Sequence, residues 1–326
     1  MDPNELAQMI GRMYRERVGT RGPGESQFAT MLRNMASSVQ KYENEALIDK
    51  ALEVLPLERL YSKAEEMESK DDTWALQDYL VMELLKWFKQ DFFQWINNPP
   101  CSKCGERETQ GQGPTRPTDE ELKYGARVVE LYRCPKCNNF ERFARYNDPA
   151  KLLETHCGRC GEWANCFTFL CRALGCRVRW VWNNEDHVWT EVYSPRQKRW
   201  VHTDSCEEAW DKPLLYGDGW GKKMSYVVAY SIDGAVDVTK RYVRDPAKSV
   251  PRNKISEDEL ASVLKSITAK LRSHLPPTER EQLEKEDKVE QEELAGFGQN
   301  PSTSPVGPRT TGSEDWIKSR GEDGHS

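Results

Sequence analysis

Gly158-Arg159-Cys160-Gly161-Glu162-Trp163 sets a cysteine at the mouth of a helix. Trp163, Cys166, Phe167, Leu170, Cys171 and Leu174 then recur at three- and four-residue steps, with Gly175 as the stop, and define one buried helical face. Cys160 lies where unpaired backbone N–H groups and the positive end of the helix dipole favour a thiolate over a thiol. That is the setting of a nucleophile. Cys166 and Cys171, on the apolar face, read instead as core filler.

Past Gly175 the period changes from helical to alternating. Arg177 to Trp182, His187 to Tyr193, Arg199 to Asp204 and Met224 to Tyr230 are strand candidates rich in β-branched and aromatic residues, with turns at Asn183-Asn184 and Ser194-Pro195. The expected arrangement is a helix followed by an antiparallel sheet. A thiolate that attacks an acyl carbon needs a base, and the base needs a group to orient it. His274 and His325 fall in the late helical region and the tail, which leaves His156, His187 and His202. His187 opens a strand after the turn Asn183 to Asp186, so its ring can stand at the sheet edge above a helix N-terminus. Asp204 ends the next strand. His202 shares a face with Asp204 at two-residue spacing and remains the rival base.

Upstream, Trp74, Leu76, Tyr79, Leu80, Met82, Leu84, Leu85, Trp87, Phe88, Phe92, Phe93, Trp95 and Ile96 cover most of a helix surface, which predicts one long buried helix ended by Pro99-Pro100. Cys101 and Cys104 follow at once, and Cys134 and Cys137 come after an insertion rich in Gly, Pro and Thr. Two such knuckles complete a tetrahedral Zn²⁺ shell with no open position, so the expected cofactor is one structural zinc ion. Val128 to Arg133 and Phe140 to Asn147 read as strands around the second knuckle.

The chain has 326 residues, 37% hydrophobic, with a net charge of -6, which points neither to nucleic acid nor to an anionic membrane. The start, MDPNELAQMIGRMYRER, is too charged for a secretory or membrane-spanning segment, so a cytoplasmic and also nuclear location is expected, with the ten cysteines reduced. Residues 1–24 are expected to carry a partner-docking helix striped by Leu6, Met9, Ile10, Met13 and Tyr14, with packing on the body as the alternative, followed by a Gly-rich link. The expected units are then helical 25–98, the cysteine subdomain 99–145, the catalytic core 146–245 and C-terminal helices 246–297. Within the last, Ser256 is a cap, and residues 279–293, with eight acidic and three basic side chains, read as a solvated helix. Residues 298–326, rich in Gly, Ser, Thr and Pro, read as disordered.

Arg145-Tyr146-Asn147-Asp148-Pro149, Leu152-Leu153-Glu154-Thr155, the Gly158 to Trp163 stretch, Glu185 to Glu191 and Arg199 to Glu207 together resemble the cytoplasmic peptide:N-glycanases, deglycosylating enzymes of the transglutaminase-like superfamily. Ser313 to Trp316 and Arg320 to Gly324 extend the match. The resemblance is to the compact fungal form and covers roughly Gln77 to Tyr242. It implies an α+β, papain-type core with a zinc subdomain across a cleft, a triad of Cys160, His187 and Asp204, and zinc on Cys101, Cys104, Cys134 and Cys137. The implied reaction cleaves the amide between an asparagine side chain and the first N-acetylglucosamine of a misfolded glycoprotein. The implied partner is a ubiquitin-receptor shuttle protein, and a monomer is expected. Glu162, Asp186, Glu191 and Glu207 are candidate contacts to sugar hydroxyls, and Trp163, Trp189 and Trp200 are candidate stacking surfaces with core packing as the competing role. Trp95 is a candidate second donor to the oxyanion, and Arg159 is expected in a structural ion pair. The competing functions are a thiol protease or acyltransferase of the same fold and a glycan-binding adaptor without catalysis.

Overall fold

The computed structural model describes residues 26–297 and 306–324. In chain order the strands are β1 (Gln94–Trp95), β2 (Gln110–Thr115), β3 (Val129–Arg133), β4 (Phe140–Ala144) and β5 (Cys157–Gly158). They continue with β6 (Val178–Asn183), β7 (His187–Ser194), β8 (Arg199–Asp204), β9 (Ala209–Trp210), β10 (Val227–Ser231) and β11 (Gly234–Asp237). The alternating segments after Gly175 pair into a six-stranded antiparallel sheet in the order β11-β10-β6-β7-β8-β9.

Side-chain alternation gives the sheet two buried faces. Val228 and Tyr230 of β10 join the large core that includes the Cys160–Ala173 helix, whereas Val227 and Ala229 point the other way, into a second core with Trp189, Trp220 and Tyr242. Thr168 of the helix hydrogen-bonds Thr190 of β7 at 2.7 Å, fixing which face the helix covers. His187, Trp189 and Glu191 therefore all stand on the opposite face. The same large core takes in the helices Gln27–Ala36, Glu45–Val54 and Leu57–Glu68, and the helix Glu257–Leu271, whose Ser256 cap accepts the Glu259 N–H.

The long aromatic helix expected to reach Ile96 stops early. It runs over Leu76–Trp87, widens into a π-turn at Phe88–Phe92 and becomes extended at Phe93. In a continued helix Phe93 would point well away from Phe88. Extension instead stacks the two rings at 5.0 Å and sets both against Trp163, and fully burying one such ring stabilises by about 1.5–3 kcal/mol. The freed backbone is satisfied by parallel pairing of β1 with β5, through Gln94 N–H to the His156 carbonyl and Ile96 N–H to the Gly158 carbonyl. The break carries Trp95 to the loop that precedes Cys160.

Two further expectations are corrected. The acidic helix, Pro277–Gly296, buries Leu283, Glu290 and Leu294; Glu290 reaches Arg179 at 2.6 Å and Arg241 at 2.8 Å, so its inner face is an ionic clamp on the sheet. Within the tail, residues 306–324 are folded against the body, with Ser313 capping the helix Glu314–Ser319 and with Arg309, Ile317 and Glu322 buried. Ion pairs and one tryptophan replace the apolar residues whose scarcity suggested disorder. The proposed docking stripe at Leu6 to Tyr14 lies outside the described residues. Among the described residues no helix is long and apolar enough to cross a membrane.

Candidate active site

Cys160 is the first residue of its helix, after an extended Arg159. Glu162, one turn in, accepts the Arg159 N–H at 2.9 Å and a two-pronged bond from Arg145 at 2.8 and 2.9 Å, so it is a structural anchor of the helix start. Arg159 reaches outward, forking onto Glu130 of β3 at 2.8 and 2.9 Å and donating to the Ile96 and Asn97 carbonyls at 3.1 Å. The nucleophile loop is thereby clamped between β1 and the cysteine subdomain. Gly158 permits the clamp: a Cβ there would sit 2.3 Å from the Glu162 Cβ. Gly158→Ala is therefore expected to lower stability by roughly 1–3 kcal/mol and to lower turnover with it, checked by thermal unfolding and activity in parallel.

His187 opens β7 behind Asp186, whose φ of 60° makes the turn. Its Nε2 meets Asp204 Oδ2 at 2.8 Å, both groups being buried. Nδ1 is the nitrogen left for Cys160, and among the described residues it makes no fully formed hydrogen bond, though the thiol lies close enough to interact. The ring is walled by Trp220 at 4.9 Å, Tyr216 at 5.1 Å and Trp189 at 5.7 Å. Burial alone would raise the Cys160 pKa, but the hydrogen bond and charge of His187, helped by Arg309, hold it below the usual thiol value. Burial likewise opposes the His187 cation, and the Asp204 charge and hydrogen bond outweigh it, so its pKa is raised. The two shifts run toward each other, the direction that favours a thiolate beside an imidazolium.

Asp204 is itself fully engaged. Its Oδ1 accepts the Cys206 N–H at 2.8 Å, and its Oδ2 accepts the Tyr216 hydroxyl at 2.9 Å as well as His187. Burial disfavours its charge, yet His187 leaves its pKa well below the ordinary carboxylate range. The rival His202 supports this network from behind: its Nε2 donates to the Tyr216 oxygen at 2.7 Å and its Nδ1 accepts the Lys212 N–H at 3.3 Å. Burial pushes its pKa down to about 4, so it is neutral with both nitrogens used. The spacing of the sequence gave no sign of Tyr216, which lies in the π-turn Leu215–Gly219.

The candidate sugar contacts are mostly committed inward. Glu191 is fully buried and accepts Arg241 at 2.8 Å and Tyr242 at 2.7 Å, and Trp189 packs between Tyr216 and Tyr242. Trp200 lies under Arg179, whose guanidinium is 3.8 Å from the ring centre. Glu207 accepts the Thr310 and Thr311 N–H groups of the C-terminal segment at 2.9 and 3.1 Å, and Asp186 pairs with Arg320 at 2.6 Å. Trp163 is buried against Phe88 and Phe93. The Trp95 indole N–H donates to Asn97 Oδ1 at 2.9 Å and so is not free for an oxyanion. Trp95 and Trp163 do line a cleft of about 500 Å³ between the Phe92–Asn97 segment and Thr310–Gly312.

On the three-stranded sheet β2-β3-β4, Cys101, Cys104, Cys134 and Cys137 converge with their sulfurs all within 4.8 Å of one another. Cys101 and Cys137, and Cys104 and Cys134, are each 3.5 Å apart. A tetrahedral shell of thiolates at about 2.3 Å from an ion sets sulfurs roughly 3.8 Å apart, so the four fit a metal ion.

The transglutaminase-like superfamily model matches residues 109–205, and the Rad4 transglutaminase-like domain model matches residues 183–295. A peptide-N(4)-(N-acetyl-beta-glucosaminyl)asparagine amidase of Yarrowia lipolytica is 51% identical over 96% of this chain and 90% of its own length. The enzyme of the same name from Saccharomyces cerevisiae is 44% identical over 87% of this chain and 82% of its own. The Homo sapiens relative is 44% identical over 92% of this chain, which spans 47% of that longer protein. The extent of the match to the fungal sequences shows that the chain belongs to the peptide-N(4)-(N-acetyl-beta-glucosaminyl)asparagine amidase family.

Proposed function

We propose that this chain hydrolyses the amide joining an asparagine side chain to the first N-acetylglucosamine of an N-glycan, through a thioester on Cys160. The observation that carries this is the array of half-buried Cys160 with buried His187 and Asp204, the thiol acidified by His187 and the imidazole made more basic chiefly by Asp204. The Cys160 thiolate attacks the side-chain carbonyl carbon, forming a C–S bond and a tetrahedral oxyanion. The backbone N–H of Cys160, at the open helix start, is the first donor to that oxyanion. Collapse breaks the C–N bond as His187 Nδ1 gives its proton to the departing glycosylamine, while Asp204 holds Nε2. Neutral His187 then takes a proton from water, which attacks the thioester and expels the thiolate. The products are an aspartate in the peptide and a 1-amino-glycan.

The substrate is an unfolded or misfolded glycoprotein, because a folded chain cannot present its asparagine to so deep a base. We assign Zn²⁺ to the cysteine cluster, where it ties the two knuckles together. Work in glycoprotein quality control ahead of proteasomal degradation, contact with a ubiquitin-receptor shuttle protein, and a cytoplasmic and nuclear location complete the reading. The deciding experiment incubates a denatured N-glycopeptide in heavy-oxygen water with the wild type and with Cys160→Ala. Glycan release with a labelled aspartate by the wild type alone is the expected result. Release by neither chain would direct the triad to a different amide.

The acidity of the pair sets the pH dependence. The Cys160 pKa is lowered from its ordinary value, chiefly by the His187 hydrogen bond and charge, so the thiolate persists to lower pH than an unperturbed thiol would allow. The His187 pKa lies above about 6.5, so the imidazolium persists as pH rises through it. A bell-shaped kcat/KM is expected, its acid limb from protonation of Cys160 and its alkaline limb from deprotonation of His187. A profile that only rises through the ordinary thiol range would contradict a preformed ion pair.

A further inference from the structure

The segment 306–324 brings to the catalytic centre a charged side chain that the mechanism above leaves unused. Arg309 is 4% exposed. Its Nη1 pairs with Glu322 at 2.7 Å and its Nε donates to the Thr311 carbonyl at 2.9 Å, so two corners of the guanidinium are held. Among the described residues Nη2 has no hydrogen-bond partner. Leaving a buried donor unmet is costly, and more so when it is charged. Glu322 does not neutralise Arg309 alone, because the same carboxylate also serves Lys222 at 2.7 Å and Arg320 at 3.2 Å. A surplus of positive charge is thus buried where an apolar side chain would have fastened the segment at less desolvation cost.

The placement explains the surplus. The guanidinium lies 4.6 Å from the Trp220 ring centre and 5.3 Å from that of Trp95. Trp220 is the wall of the His187 imidazole, and Trp95 belongs to β1, paired with Gly158 just before the nucleophile. Thr311 donates its hydroxyl to the Cys206 carbonyl, and the Cys206 N–H in turn holds Asp204. Arg309 bridges the base's wall and the strand paired with the nucleophile's loop, within electrostatic reach of the Cys160 thiol.

We propose that Arg309 is a positioning residue for the amide hydrolysis, a fixed buried cation that holds Cys160 as the thiolate. This rests on the triad reading above. The charges that bear on the thiol are His187 and Arg309, which favour the anion, and Asp186, which opposes it. Arg145 and Cys206 are the remaining titratable groups within its electrostatic reach.

The test is the pH dependence of Cys160 alkylation by iodoacetamide, located by mass spectrometry, beside kcat and KM on a denatured glycopeptide. Arg309→Gln keeps a donor for Glu322 but removes the charge. Its alkylation limb is expected to move up by about one pH unit, so that alkylation at acid pH slows roughly tenfold, with kcat down by a similar factor and KM within about twofold. Arg309→Lys restores the limb. An Arg309→Gln limb coincident with the wild type, with kcat falling only as thermal stability falls, would reduce Arg309 to a strut and overturn the proposal. If Arg309→Gln does not fold, Arg309→Lys decides: a wild-type limb supports the proposal, and an upward shift with the charge retained sinks it. Glycan release that survives Cys160→Ala would refute the triad reading instead, and the alkylation limb would still report on Arg309.

Discussion

Asp204→Asn is expected to lower kcat by roughly 10⁴-fold with little change in KM or in the fold. Only a carboxylate can accept from the three donors around this position, the Cys206 N–H, the Tyr216 hydroxyl and His187 Nε2. An asparagine must turn its amide nitrogen toward one side. Facing Cys206, it sets donor against donor and loosens the loop that carries the side chain. Facing His187, it donates to Nε2, forces the proton onto Nδ1 and leaves the imidazole unable to accept from Cys160. In either rotamer the negative charge that raises the His187 pKa is gone, so the thiolate loses its partner as well. Steady-state kinetics with circular dichroism as the control checks this. A variant within tenfold of wild type would show that Asp204 only fills space.

The same network shows where the sequence could be read and where it could not. Three- and four-residue spacing from Trp163 to Leu174 marks the helix by its apolar stripe, although the folded helix is buried on every side from Glu162 to Cys171, with Asn165 and Thr168 covered too. The strands after Gly175 are legible for a similar reason, and β8 runs over Arg199–Asp204 as the alternation predicts. Choosing between His187 and His202 is a different problem. Both rings lie on the same side of the sheet, and the choice falls to Tyr216, distant in sequence, which takes the His202 Nε2 proton and leaves His187 alone beside Asp204.

Composition misleads where charge does the work of burial. The Arg309 to Glu322 segment has few large apolar residues, yet Glu322 is fully buried with Arg309 and Lys222 as partners. Glu290 likewise looks solvated within an acidic run until Arg179 and Arg241, far away in sequence, are set opposite it. The aromatic run fails in another way. Its composition suits a helix as well as it suits a π-turn followed by β1, and the choice depends on the edge that β5 offers.

Removal of the Zn²⁺ proposed for the cysteine cluster is expected to unfold the protein and not merely to inhibit it. Once no cation lies between them the four sulfurs within 4.8 Å take up protons and lose the ion that ties the two knuckles, and structural zinc contributes binding free energy on the order of 10 kcal/mol to the folded state. The loss would spread to the active site by a defined route. The second knuckle joins β3 to β4, and β3 carries Glu130, whose carboxylate forks onto Arg159 immediately before Cys160. Melting β3 therefore unclamps the nucleophile loop. Cys134→Ser should be the severest single change at the cluster, since Cys134 is fully buried and opens the second knuckle directly after β3. Chelation followed by circular dichroism and thermal unfolding measures the effect, and a chelated chain with native spectrum and midpoint would refute it. Reconstitution separates scaffold from chemistry. With all four positions taken by cysteine no site remains for a catalytic water, so Co²⁺ in a tetrahedral thiolate shell should return the fold with essentially the Zn²⁺ turnover. A turnover that changed with the metal would place the ion in the reaction itself and overturn the closed-shell assignment.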